Sequence, residues 1–90
     1  MKFEWDAQKA RRNASKHGVQ FADAVAVLED DRALTMSEES MDGEERWIAL
    51  GTDAFGRVLV VVYTWRHDRV RMISARPATP AERVAYGEAR

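Results

Sequence analysis

Six consecutive apolar residues, Val58-Leu59-Val60-Val61-Val62-Tyr63, limit what this chain can become more than any other feature of it. Four of them are valines, whose branched Cβ favours extended backbone. In a strand successive side chains point to opposite faces, so a run that is apolar at every position needs cover on both sides. The run therefore predicts the central strand of a sheet. It is also the longest apolar stretch and falls far short of the roughly 20 residues that cross a bilayer, which excludes a membrane role.

Around it lie other strand-like segments: Arg32 to Ser37, Arg46 to Gly51 and Arg69 to Arg76, with the central run extending over Arg57 to Trp65. Short polar or glycine-containing turns separate them, which predicts an antiparallel meander. Phe3 to Trp5 adds a short edge strand. Two helices precede the meander. Asp6 is a good N-cap and Gly18 a good left-handed stop, so the first spans 7–17 and aligns Ala10, Asn13, Ala14 and His17 on one face. Phe21, Ala24, Val25 and Leu28 repeat that spacing and predict a second helix ending near Glu29-Asp30-Asp31. A third starts at Pro80, where Thr79-Pro80-Ala81-Glu82 forms a capping box. The fold class is α+β, with two N-terminal helices and one C-terminal helix on an antiparallel sheet.

A chain of 90 residues suits one domain, burying roughly 60 to 65 % of its unfolded surface. It has no cysteine, which excludes disulfides and thiolate chemistry and fits a reducing compartment. Its start lacks a signal-peptide apolar region, so a cytoplasmic location is expected. The net charge of -1 conceals an uneven distribution: residues 20 to 45 hold nine acids and one base, whereas residues 57 to 76 hold five arginines and one acid. A basic surface from the second stretch can track phosphates, and the acidic one can meet a basic partner. Two ordinary solvated faces would look the same.

Three clusters carry a family resemblance. The first is Phe3-Glu4-Trp5-Asp6 through Asn13, Lys16-His17-Gly18-Val19 and Phe21. The second is Gly43-Glu44-Glu45-Arg46 through Gly51. The third runs from Arg57 through Thr64, Arg66, Arg71, Ile73-Ser74-Ala75-Arg76 and Glu82-Arg83 to Tyr86. In this order and spacing the chain resembles the BrnT toxins over nearly its whole length. Gln20, a weaker helix cap than the serine usual there, and Trp65, at a commonly polar position, depart from the pattern. The resemblance implies a RelE-like ribonuclease fold and a type II toxin that cleaves cellular RNA and so stops translation and growth. It also implies a BrnA-like antitoxin with a DNA-binding segment as partner, with the toxin dimerising inside that complex.

Cleaving RNA without a metal requires a proton acceptor for the 2′-hydroxyl, cations for the phosphorane-like transition state and a proton donor for the leaving oxygen. Resemblance and chemistry together nominate His17, Lys16, Arg46 and Arg76 as catalytic, and Arg66, Arg71, Arg69 and His67 as RNA contacts. Each has a plainer use. His17 suits the negative end of a helix, His67 is a solvated turn residue, Arg46 can pair with Glu44, and Glu82 is already occupied by capping. Strand alternation puts Arg71 and Arg76 on opposite faces unless a bulge intervenes. No cofactor or metal is called for, since two distant histidines without cysteine make no chelating cluster. Two other readings remain open: a non-catalytic module that binds an antitoxin and tunes promoter repression, and a small RNA-binding domain.

Overall fold

A computed structural model of the chain describes residues 2–39 and 43–88. In order these form β1 (Lys2–Glu4), α1 (Ala7–His17), α2 (Phe21–Ala24), a 3₁₀ turn (Val25–Glu29), β2 (Leu34–Glu39), β3 (Glu45–Thr52), β4 (Val58–Arg66), β5 (Arg69–Pro77) and α3 (Pro80–Glu88). Asp42 of the acidic stretch lies outside the described residues. The architecture is α+β, with all five strands in one sheet ordered β1-β5-β4-β3-β2.

The caps act as their chemistry dictates. Asp6 accepts from the Gln8 N–H at 2.7 Å, and Gly18, at φ 69°, turns α1 off by donating to the Ala14 carbonyl. Thr79 and Glu82 exchange backbone-to-side-chain bonds of 2.8 and 3.2 Å, closing the capping box of α3. The second helix departs from expectation: after one turn of α2 the chain tightens into the 3₁₀ turn. Its buried residues, Phe21, Ala24 and Val27, are spaced by three, the repeat of a 3₁₀ helix, and Gln20 supplies no side-chain cap.

The meander β2-β3-β4-β5 is antiparallel throughout, as expected, but the sheet is mixed because β1 runs parallel to β5. One side of β5 is taken by β4, so β1 pairs along the opposite edge. Its three residues carry no pattern from which direction could be read. A bulge interrupts β4 and β5: Val62 faces Ser74 and Tyr63 faces Met72, leaving Ile73 as the extra residue.

That bulge decides which side chains share a face. Ala49, Leu59, Val61, Tyr63, Val70, Met72 and Ala75 are buried against Val19, Phe21, Ala24 and Val27, forming the core on one side of the sheet. Beyond Ile73 the alternation is reversed, so Arg71 and Arg76 stand together on the other side, with Ser74 between them. The expectation that they are separated is thereby corrected. Among the described residues this second face is covered by α3 at one end, where Tyr86 is buried and its hydroxyl accepts a hydrogen bond from that of Thr52.

Candidate functional site

The residues nominated from sequence divide into two groups on different parts of the fold. Lys16 and His17, in the last turn of α1, line a cleft of about 300 Å³ with Lys9, Arg12 and Asn13 of the same helix and Ile73 and Ser74 of β5. Arg46, Arg66, Arg69, Arg71 and Arg76 project from the sheet face remote from the core. His67 lies in the exposed turn between β4 and β5, at a left-handed φ of 59°.

The cleft follows from local sequence. Positions 9, 12, 13 and 16 fall on one side of a helix. Asn13 is buried beneath them, donating to the carbonyls of Val19 (3.0 Å) and Ala75 (2.8 Å) and accepting from the Ala75 N–H (3.0 Å). These bonds pin α1 across β5 and fix the distance between the helix cations and the bulged strand. The lining holds three cations and an imidazole and no carboxylate. Such a concavity favours a polyanion, because no carboxylate shares its lining, the N-cap Asp6 near Lys9 lying outside it. Lys9 and Arg12 were missed in the sequence reading, although the signal was present: α1 has the sequence AQKARRNASKH, with no acid.

On the sheet face most arginines already have partners. Arg76 makes two bonds to Glu82, of 2.8 and 3.0 Å, and a third to the Pro77 carbonyl at 3.2 Å. The Glu82 carboxyl is drawn from 4.5 to about 2, chiefly by the Arg76 hydrogen bonds and then by the Thr79 N–H. Arg71 is held by Glu4 at 2.9 Å and Arg69 approaches the same carboxylate at 3.8 Å. Arg66 is exposed at the end of β4. Arg46 differs from all of them: its Nε is buried without a hydrogen-bond partner. Its cross-strand neighbour is Glu38, yet it forms no ion pair among the described residues.

Ser74 connects the two regions, for it lines the cleft and, across the bulge, is matched to a position only two residues of β4 away from the partner of Arg71, a span of roughly 7 Å. Among the described residues no three of His, Cys, Asp and Glu converge to hold a metal ion. No described helix is long and apolar enough to cross a membrane.

The family described as "Ribonuclease toxin, BrnT, of type II toxin-antitoxin system" matches residues 5–82. The fold is similar to the crystal structure of the Brucella abortus ribonuclease toxin BrnT, with a TM-score of 0.68 and 28 % identity, over 88 % of this chain and 97 % of that one. No curated protein matches. An α+β domain of this build falls in the class of ribonuclease toxins from type II toxin-antitoxin systems. Within that class the chain belongs to the BrnT family.

Proposed function

We propose that this protein is a metal-independent endoribonuclease that cuts cellular RNA in the cleft between α1 and β5, halting translation and growth in the cytoplasm. The observation that carries the reading is the lining of that cleft, where His17 stands among Lys9, Arg12 and Lys16 with no carboxylate. The three cations hold the scissile phosphate and its neighbours and stabilise the charge that gathers on the phosphorane. The His17 imidazole accepts the 2′-hydroxyl proton as that oxygen attacks phosphorus, and the bond to the 5′-oxygen breaks as that oxygen takes a proton from the Lys16 ammonium. The products are a 2′,3′-cyclic phosphate and a 5′-hydroxyl. Protein cations fill the place that a metal ion would otherwise take.

Arg66, which is exposed, and Arg69, whose approach to Glu4 is only 3.8 Å, carry the basic track onto the hairpin and contact flanking phosphates, while Arg71 is held by Glu4 at 2.9 Å. Arg76 serves instead to hold α3, because its guanidinium is engaged by Glu82 and Pro77. His67 is a turn residue in this reading. The cognate antitoxin implied by the family is a BrnA-like protein with a DNA-binding segment.

Incubating the purified chain with RNA in excess EDTA tests the reading directly. Cleavage is expected to persist, and His17→Gln is expected to lower kcat by about 10² to 10⁴ while the protein stays folded. Intact RNA from a folded wild-type protein, or activity that needs added magnesium, overturns it.

A further inference from the structure

The open sheet face has an apolar half as well as a basic one. Leu34 and Met36 of β2, Ile48 and Leu50 of β3 and Val60 of β4 line a groove of about 330 Å³, closed on one side by Glu82 of α3. Strand register fixes its order: Leu34 lies opposite Leu50, Met36 opposite Ile48, and the next pair in the same row is Glu38 with Arg46. Every residue of β2 is exposed, Met36 at 63 % and Leu34 at 38 %. An apolar trough therefore ends at a guanidinium whose Nε is buried without an acceptor.

RNA is a poor occupant for this trough. Its phosphates gain nothing from Leu, Ile and Val side chains, and the one charged residue in the lining is an acid. A protein segment fits both halves, since apolar side chains fill the groove while a carboxylate satisfies Arg46, and opposite charge fixes the register. We propose that the groove and Arg46 form the docking surface for the cognate antitoxin, which meets them with an amphipathic segment carrying apolar side chains and a neighbouring Asp or Glu. Arg46 and Ile48 are two positions apart on one strand face, roughly 7 Å. A carboxylate and an apolar residue at i and i+2 of a strand, or i and i+4 of a helix, span that distance. The partner follows from family membership, and the placement is independent of the chemistry assigned to the α1 cleft.

The test uses the full-length chain and the full-length protein encoded by the adjacent reading frame, their affinity measured by titration calorimetry. Met36→Glu alters an exposed edge position and is expected to keep the fold, weaken antitoxin binding at least 100-fold and leave RNA cleavage unchanged. Arg46→Gln is expected to weaken binding at least 10-fold. Hydrogen exchange on the wild-type pair supplies a measurement that needs no variant: amides of β2 become protected on complex formation. Wild-type affinity in both folded variants, or protection confined to α1, overturns the placement. So does a dimer of the toxin alone that Met36→Glu dissociates, which would give the groove to a second copy. Loss of RNA binding rather than antitoxin binding in Met36→Glu would give it to RNA. Failure of the EDTA cleavage experiment leaves the affinity and hydrogen-exchange outcomes untouched.

Discussion

Arg76 and Glu82 meet through two hydrogen bonds of 2.8 and 3.0 Å, joining the end of β5 to the first turn of α3. The same carboxylate accepts from the Thr79 N–H at 2.8 Å, so one side chain caps the helix and anchors it to the sheet. These bonds hold the Glu82 carboxyl at about 2 against an ordinary 4.5. A depressed carboxyl stabilises the fold above its unfolded value and loses that contribution as pH falls through the folded one. The stability difference between wild type and Glu82→Gln is therefore expected to be constant above about pH 5 and to shrink from there toward pH 2. The side chains are 39 % and 32 % exposed. Solvent screening then limits the contribution to about 1 kcal/mol. Urea titrations of both proteins across pH 2 to 7 measure it, and a difference independent of pH would refute the argument.

Asp30 closes a second junction, tying the chain before β2 to the end of β3 and to α3. Its carboxylate accepts from the Tyr86 hydroxyl at 2.6 Å and from the backbone N–H of Thr52 at 2.9 Å and Arg32 at 3.0 Å. Burial raises its pKa, but the bonds from Tyr86, Thr52 and Arg32 outweigh that and leave it below 3.8. Asp30 is thus a structural member of the acidic stretch, unlike the exposed Asp31 beside it. Asp30→Ala is expected to cost about 2 kcal/mol and Tyr86→Phe about 1 kcal/mol, whereas Asp31→Ala should stay within about 0.5 kcal/mol. Thermal melts of the three variants at pH 7 decide this, and equal shifts for Asp30→Ala and Asp31→Ala would remove the network from the account.

Asn13 makes the corresponding link for α1. All three of its side-chain hydrogen bonds are to backbone, and removing them leaves groups of Val19 and Ala75 without those partners in the interior. Asn13→Ala is expected to destabilise the protein by about 2 to 4 kcal/mol. It should also lower RNA cleavage, because the helix that carries Lys9, Arg12, Lys16 and His17 is no longer fixed against β5. Near wild-type stability in chemical denaturation would show that apolar packing alone positions α1.

The sheet was readable because a β-branched apolar run leaves a chain few choices, and α1 and α3 because Asp6, Gly18 and the Thr79 to Glu82 box are local signals. The parallel direction of β1 was not readable, since three residues hold no directional pattern and the crossover depends on how α1 packs. Nor was the bulge: nothing around Ile73 distinguishes a regular strand from one with an extra residue. That single residue moved Arg71 and Arg76 onto one face. The candidate site was half legible. His17 and Lys16 stand within a motif, whereas Lys9 and Arg12 lie outside it and join the cleft only through helix periodicity. That α1 lacks any acid would have revealed them. The engagement of Arg76 by Glu82 is a contact between strand and helix, beyond the reach of spacing arguments.

The basic face of α1 makes a quantitative prediction about salt. Binding to single-stranded RNA releases condensed counterions, and log K falls against log salt with a slope of about -0.7 for each phosphate neutralised. Lys9, Arg12 and Lys16 line one cleft that contains no carboxylate. If each meets one phosphate, the triple alanine variant should flatten the slope by about 2. Affinity should fall at low salt and converge with wild type as salt rises. These residues are exposed, and alanine is the best helix former, so the fold is expected to persist. His17→Gln serves as the contrast, because it removes the group assigned to proton transfer and keeps Lys9, Arg12 and Lys16, so it should lower the cleavage rate and leave the slope nearly unchanged. Fluorescence anisotropy with a labelled, non-cleavable RNA carrying 2′-O-methyl groups, from 50 to 300 mM salt, measures both. A slope that stays at the wild-type value in the triple variant would take the RNA out of the α1 cleft and place it elsewhere on the basic surface.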